Sequence, residues 1–286
     1  MANVALIADI KESRNMRVPE RIDVQQKLSE IVGFANDVYG KGMRYKLDFS
    51  SGDSVQGLFM HPSSAFYCCE IIRSAIFPYD IRCGIGAGDL IDMPYESSNM
   101  MDGSSYHNAR SMLTYSKDNG FEMLFKSDSA GDGLVNQYLA AAQAFMSKQS
   151  RKQRMIGHLV SLLNPLATAD MDLKAYDTGI CRFIGPYPGI YGSLGKEAAG
   201  DPAASSFGSG HNKTVPYLQP SYPFGHDAAA FNRKTINRNT QTMIGKMLGV
   251  SSENIRQMII KGDMEMIRSL FISASLAAQH FLGDEL

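Results

Sequence analysis

Apolar and polar positions follow two different rhythms in the first half of the chain. Residues 4–8 form a short apolar run that ends at Asp9, a pattern typical of a buried strand. Apolar residues then recur at helical spacing over residues 24–38, which predicts an amphipathic helix of about five turns. Residues 44–50 and 54–60 are extended stretches that flank a Ser-Gly-Asp turn, and this predicts a hairpin.

Further strand and helix signals complete a recognisable order. They predict a helix from Pro62 to about residue 75, a glycine-rich strand at residues 81–88 and a helix over about residues 103–113. The order strand-helix-strand-strand-helix-strand is that of ferredoxin-like and polymerase-palm domains. We therefore expect an α+β fold with a mostly antiparallel sheet. The glycines at residues 84–88 lack the spacing of a dinucleotide-binding loop, so we expect them to allow close packing or the approach of a ligand.

The second half of the chain has a different pattern, with helical signals separated by a stretch rich in glycine and proline. That stretch is either a mobile loop or an ordered insertion rich in turns. Four parts are expected: a palm domain at residues 1–133, a helical connector at 134–164 that includes the first helix of a helical domain, an insertion at 165–231 and a helix-turn-helix domain at 232–286.

Composition narrows the class of protein. Hydrophobic residues make up 44% of the 286, which is enough for a sizeable core. Lys plus Arg number 28 against 29 for Asp plus Glu, so a global basic field for nucleic acid is excluded, although a local basic patch is not. No apolar run approaches the ~18 residues of a membrane-spanning helix, and the amino terminus lacks the features of a signal peptide. We expect a cytoplasmic protein with no membrane partner.

Two carboxylates are the strongest candidates for chemistry. Asp9 ends the first predicted strand and Asp53 lies on the hairpin turn, and these positions come close together on adjacent central strands. Two neighbouring carboxylates repel each other unless a cation lies between them, and Mg²⁺ commonly uses one or two carboxylates together with phosphate oxygens. The alternative interpretation is that Asp9 is a cap and Asp53 an ordinary turn residue.

The loop that follows Asp9 is a candidate phosphate site. It reads IKESR and leads into a helix, so its backbone N–H groups can hold phosphates. Lys11 or Arg14 would add positive charge, and Ser13 lies between them.

The carboxy-terminal helices have the pattern of a helix-turn-helix. Gly249 permits a tight turn and Ser251 can cap the next helix. The exposed face of that helix offers side chains that reach base edges or phosphates, namely Ser252, Asn254, Arg256, Gln257 and Lys261. Six cations lie at residues 232–261 against the single anion Glu253, a local basic patch. The rival interpretation is a helical hairpin used for dimerisation.

Four segments carry a resemblance to a known family. They read LIADIKESR from residue 6, GDSVQGL from residue 52, IRCGIG from residue 81 and GSSYHNAR from residue 103. In this order they resemble the SatD family over residues 1 to about 115, and SatD-like proteins also end in a similar helix-turn-helix. More distantly, the pattern is similar to class III nucleotide cyclases.

The cyclase resemblance implies roles for particular residues. Asp9 and Asp53 would bind two metal ions, Mg²⁺ or Mn²⁺, and Arg110 would stabilise charge on the transferring phosphates of a purine nucleoside triphosphate. The cyclase asparagine lies four residues before that arginine, where this chain has Tyr106, and Asn108 is the nearby catalytic candidate. Cyclase-like sites form across a dimer, so the resemblance implies a homodimer.

Three functions are therefore open. The first is a metal-dependent nucleotide-binding, cyclase-like domain coupled to a helix-turn-helix module, acting as a nucleotidyl cyclase or transferase if it is catalytic. The second is a DNA-binding regulator whose first domain is a non-catalytic sensor or dimerisation platform, which the loss of the cyclase asparagine favours. The third is a scaffold that uses residues 165–231 as its binding surface.

Overall fold

The computed structural model describes residues 3–91, 102–184 and 235–283, and strands and helices alternate in its first half before the chain becomes helical. The strands are β1 (Asn3–Ile10), β2 (Met43–Ser51), β3 (Ser54–Phe59), β4 (Ile81–Gly88) and β5 (Met123–Lys126). The helices are α1 (Val18–Tyr39), α2 (Pro62–Ile76), α3 (Ser104–Asn119), α4 (Asp132–Met146), α5 (Arg151–Leu163), α6 (Leu173–Ile184), α7 (Arg238–Leu248), α8 (Ser252–Lys261) and α9 (Met264–Phe281). Short 3₁₀ helices cover Ser13–Asn15 and Gly40–Gly42.

The sheet has the strand order β2-β3-β1-β4-β5. The pairs β2–β3, β3–β1 and β1–β4 are antiparallel, and the predicted mixed α+β class is confirmed. β5 joins the other edge parallel to β4, an addition that the sequence does not predict. β1 is therefore the central strand, with the hairpin on one side of it and β4 on the other.

Side chains of β1 alternate between two cores. Leu6 and Ala8 lie in the larger core, which also takes the buried residues of α1 and α2, whereas Ala5 and Ile7 lie in a smaller core with buried residues of α3. Because successive side chains of a strand point to opposite faces, Asp9 lies on the same face as Ala5 and Ile7. The last carboxylate of β1 is thus directed to the α3 side of the sheet.

The glycines of β4 let α3 lie directly on the sheet. A Cβ atom on Gly84 would lie 2.5 Å from the backbone nitrogen of Leu113 and closer still to the carbonyl oxygen of Ala109. A Cβ atom on Gly86 would likewise meet backbone atoms of α3. Close helix packing, one of the two roles expected for these glycines, is the one that the described structure shows.

The helical half packs on the α1–α2 side of the sheet and shares its core. α9 packs against α4 and α2, and α5 packs against α2. α6 lies on α1, where the ring of Phe34 is 5.4 Å from that of Tyr176 and 5.1 Å from that of Phe183. α6 is an unpredicted helix within the expected insertion at residues 165–231, of which residues 185–231 lie outside the described residues. Among the described residues, no helix combines the length and apolar character that crossing a bilayer requires.

Candidate functional site

The structure brings Asp9 and Asp53 together at one end of the sheet. Asp9 is opposite Ser54 in the β1–β3 register, so Asp53 is the neighbour of its direct partner. The backbone N–H of Ile10 donates to the carbonyl oxygen of Asp53 at 3.4 Å, which ties the two chain segments together. Both residues therefore lie at the same end of the sheet, where the chain leaves β1 and enters β3, and we call this place the carboxylate corner.

Asp9 is buried, with 8% of the residue exposed, and its two oxygens have different surroundings. Oδ2 forms an ion pair with the ammonium group of Lys117, which reaches over from α3. Oδ1 is buried and has no hydrogen-bond partner within residues 3–91, 102–184 and 235–283. A buried carboxylate oxygen without a donor is costly, so this atom marks a place for a cation or a donor.

The sequence pattern does not place Lys117 at this site, because the predicted helix ends near residue 113. α3 continues to Asn119, and this extra length carries the lysine to the end of β1. A signal was nevertheless present. Lys117 follows Arg110 by seven residues, which places the two cations on one face of a helix.

The loop after β1 folds back toward Asp53. Glu12 adopts a left-handed backbone conformation with φ 57°, and the short 3₁₀ helix Ser13–Asn15 follows at once. The buried hydroxyl of Ser13 donates to Oδ2 of Asp53. Arg14 is exposed beside it. Ser13 is therefore part of the carboxylate corner, and Arg14 is the exposed cation of the loop.

Lys11 forms an ion pair with Glu122 instead of facing the two aspartates. Its ammonium group donates to Oε1 of Glu122 at 3.0 Å, and its backbone N–H donates to the carbonyl oxygen of Asp80 at 2.8 Å. Burial alone would raise the pKa of the Glu122 carboxyl, but Arg73 and Lys11 beside it hold that pKa below its ordinary value. Lys11 thus anchors the loop to the start of β5, and its role as a phosphate ligand stays a prediction.

The two candidates on α3 have opposite surroundings. Asn108 is buried, and its side-chain amide donates to the carbonyl oxygen of Ala87 at 3.1 Å and to Oδ2 of Asp128 at 2.9 Å. This pins α3 to the end of β4. Arg110 is exposed and has no ion pair in the described part of the chain. It lies two turns from Lys117, about 10 Å along the helix axis.

The carboxylate corner has few side chains that could bind a metal ion. Among the described residues, no group of three or more His, Cys, Asp and Glu side chains is placed to hold a metal. Asp9 and Asp53 would therefore share a cation with water and phosphate oxygens. That fits Mg²⁺, which commonly keeps several waters and takes one or two carboxylates together with substrate phosphates.

A second candidate surface lies on α8. Gly249 adopts the left-handed conformation with φ 64° between α7 and α8, and the hydroxyl of Ser251 accepts the backbone N–H of Asn254. Ser252, Asn254 and Lys261 are exposed. Arg256 and Gln257, however, both donate to the carboxylate of Glu253 at 2.8 Å.

The ion pair between Arg256 and Glu253 reduces the positive charge on the exposed face of α8. Hydrogen bonds from Arg256 and Gln257 lower the pKa of Glu253 to about 2, so Glu253 is ionised and neutralises the cation beside it. The basic patch that the sequence predicts is therefore weaker on α8 itself. Of its cations, Arg233 and Lys234 lie outside the described residues.

Comparison with solved structures finds partial likeness to cyclases. A bacterial light-regulated adenylyl cyclase is matched at 16% identity and TM-score 0.35, over 43% of this chain and 74% of that one. A second structure described in the same way is matched at 17% identity and TM-score 0.34, over 44% and 42% of the two chains. The guanylyl cyclase Cya2 is matched at 15% identity and TM-score 0.28, over 40% and 70%.

Comparison at the level of sequence is more specific. No curated protein matches the chain. The family model described as "SatD family" matches residues 3–165, which is more than half of the chain and includes the sheet, the carboxylate corner and α3. On this match, and with the four segments quoted above lying within it, the chain belongs to the SatD family.

Proposed function

We propose that this protein binds a purine nucleoside triphosphate through a divalent cation, Mg²⁺ or Mn²⁺, at the Asp9–Asp53 corner. One observation carries the proposal: Oδ1 of Asp9 is buried without a hydrogen-bond partner in the described part of the chain. Asp53 lies at the same end of the sheet, where the hydroxyl of Ser13 donates to its carboxylate. A cation between the two carboxylates offsets both their mutual repulsion and the cost of the unpaired oxygen.

Each residue of the corner then has a distinct task. Asp9 and Asp53 hold the cation, which would neutralise charge on phosphate oxygens when bound. Arg14 on the loop is exposed and would contact phosphates, whereas Lys11 holds the loop to Glu122. Lys117 balances the charge of Asp9 on the α3 side.

The residues of α3 suggest that the full site needs two copies. Asn108 acts as a positioning residue, because its amide fixes α3 on β4. Arg110 is exposed about 10 Å from Lys117 and has no anion of its own copy in the described part of the chain. We propose that the protein is a homodimer in which Arg110 faces phosphates bound by the partner copy.

Replacing Asp9 by asparagine tests the metal role. Asp9→Asn is expected to weaken Mg²⁺-dependent binding of a fluorescent ATP analogue on the order of 100-fold. Replacing a residue that only orients a metal ligand already costs about 10- to 100-fold in metal affinity, and replacing the ligand itself should cost at least as much. Asp53→Asn is expected to act in the same direction. Asp48→Asn, on the exposed side of β2, is the matched control and should leave binding unchanged. Equal affinity of Asp9→Asn and the unchanged chain would refute the site.

A product assay distinguishes an enzyme from a sensor. The purified protein is incubated with ATP, GTP, CTP and UTP in the presence of Mg²⁺ or Mn²⁺, and the products are identified by mass spectrometry. A cyclic or linked nucleotide from the unchanged chain, absent with Asp53→Asn, identifies a nucleotidyl cyclase or transferase and its base. Metal-dependent binding without any product identifies a sensor. Preference for CTP or UTP contradicts the purine assignment.

A second candidate function is duplex DNA binding by α7 and α8. The observation that favours it is the tight turn at Gly249 with the capped, exposed start of α8, the geometry by which such helix pairs enter a groove. Glu253 weakens this function, because its carboxylate accepts hydrogen bonds from Arg256 and Gln257, the side chains that would contact DNA. One anion therefore limits binding of DNA through this surface.

Removing that anion gives a specific prediction. Glu253→Gln is expected to tighten binding to a labelled duplex and to make the slope of log affinity against log salt steeper by about one, since Arg256 becomes free to contact a phosphate. Fluorescence anisotropy at two salt concentrations measures both quantities. Lys261→Gln is the opposing control and should make the slope shallower. No binding by either variant at about 50 mM salt would reject DNA as the partner.

A further inference from the structure

A cavity of about 300 Å³ lies between α2, α4, α5 and α9, a size at the lower end of ligand pockets. α2 covers the face of the sheet opposite α3, so the cavity is separate from the Asp9–Asp53 corner. Part of its wall is apolar. The apolar side chains are Met146, Val160, Leu166, Met264, Ile267 and Phe271.

One cation in the cavity wall is buried and has no carboxylate at ion-pair distance among the described residues. Arg268 is only 6% exposed, and its guanidinium donates to the carbonyl oxygen of Asn164 at 2.9 Å and to the hydroxyl of Thr235 at 3.2 Å. These bonds use two of the five N–H donors of an arginine. No carboxylate lies within ion-pair distance of it in the described part of the chain. Glu265, which accepts a hydrogen bond from the same Thr235 hydroxyl, and Glu70 in the cavity wall act on the guanidinium from a longer range.

The other charged groups of the cavity are already paired. Arg73 is held by Glu70 at 2.6 Å and by Glu122 at 3.4 Å, and Arg154 is held by Asp80 at 2.7 Å. Burial lowers the pKa of His158 well below its ordinary value, and the nearby Arg73 and Arg154 add to the lowering, so this ring is neutral. Among the described residues that line the cavity, Arg268 is therefore the cation without an ion-pair partner, and a ligand can still balance its charge.

We propose that this cavity binds a small organic anion, a carboxylate or phosphate carried on an apolar body, with Arg268 as its counter-charge. The anionic end takes the free N–H donors of Arg268. The apolar body lies against Phe271 and Ile267. A neutral molecule of the same shape gains only the apolar contacts, and a cation meets like charge.

Four probes of similar shape separate these cases: benzoate, phenyl phosphate, benzyl alcohol and benzylamine. At a concentration on the order of a hundred times the dissociation constant, a bound anion is expected to raise the melting temperature of the full chain by about 5 °C. Benzyl alcohol should raise the melting temperature less, and benzylamine should leave it unchanged. A larger shift with benzoate than with phenyl phosphate assigns a carboxylate ligand, and the reverse assigns a phosphate. If neither anion shifts the transition, the proposal is overturned.

Filling the cavity without damaging the fold provides the decisive variant. Gly157 lines the cavity on α5, and a Cβ atom there meets nothing within 4 Å, so Gly157→Leu is expected to fold and to abolish the anion shift. Gly133→Leu is the matched control on α4, because that position is exposed and equally open. Arg268→Met should keep the benzyl alcohol result and lose the anion shift. An anion shift that survives Gly157→Leu places binding elsewhere and refutes the site.

Discussion

Replacing Arg73 by methionine is expected to lower the free energy of unfolding by about 3–5 kcal/mol, the usual cost of removing one partner from a buried ion pair. The side chain of Arg73 is 12% exposed, and its guanidinium forms ion pairs with Glu70 at 2.6 Å and Glu122 at 3.4 Å. It also lies over the ring of Phe271, 5.4 Å from the centroid. Removing the cation leaves two shielded carboxylates without their main counter-charge.

A matched pair on the surface gives the control. Arg256 and Glu253 are also three residues apart on a helix and lie 2.8 Å apart, but their side chains are 45% and 61% exposed. Arg256→Met should therefore change the free energy of unfolding far less, because solvent screens an exposed ion pair. Denaturant unfolding of both variants measures the difference. Adding Glu70→Gln to Arg73→Met should recover part of the loss, and equal costs for Arg73→Met and Arg256→Met would contradict this account.

Replacing Gly84 by alanine is expected to lower the free energy of unfolding by about 3 kcal/mol, at the upper end of the cost of overpacking. The added Cβ meets the backbone of α3 at Ala109 and Leu113, and neither is the end of a flexible side chain. The whole helix must move away from β4. Since α3 carries Lys117, the same shift should separate its ammonium group from Asp9.

Glycine at a helix position with open space provides the opposite control. A Cβ atom on Gly33, in α1, meets nothing within 4 Å, so Gly33→Ala should stabilise the chain by about 0.5–1 kcal/mol through helix propensity. Thermal unfolding compares the two alanine variants in the same buffer. A Gly84→Ala chain as stable as the unchanged one would show that α3 does not rest on the sheet as described.

The elements that the sequence predicts best are those with strong local signals. The strand at Ile81–Gly88 has the predicted bounds, and the hairpin turn lies where Gly52 and Asp53 predict it. Apolar alternation and turn residues are properties of neighbouring positions, so they can be recognised without knowing the rest of the fold.

Two of the three elements that the sequence misses lack such signals. Residues 114–119 of α3 are mostly polar, and only Ser116 among them is buried. β5 has four residues, and its pairing with β4 is parallel, so its partner is remote in the chain. α6 does have apolar residues at helical spacing, with Tyr176, Ile180 and Phe183 buried, but its contact with Phe34 of α1 is long-range in sequence.

The sequence alone determines the family, the mixed α+β class and the two carboxylates that end β1 and open β3. Only the tertiary structure decides which charge meets which. It pairs Lys117 with Asp9, and it pairs Lys11 with Glu122, 111 residues away, and not with the neighbouring loop. Among the described residues, it also leaves Arg268 buried with no carboxylate at ion-pair distance. The sequence pattern around a charged side chain does not identify its ion-pair partner, because the partner depends on which remote segments pack together in the fold.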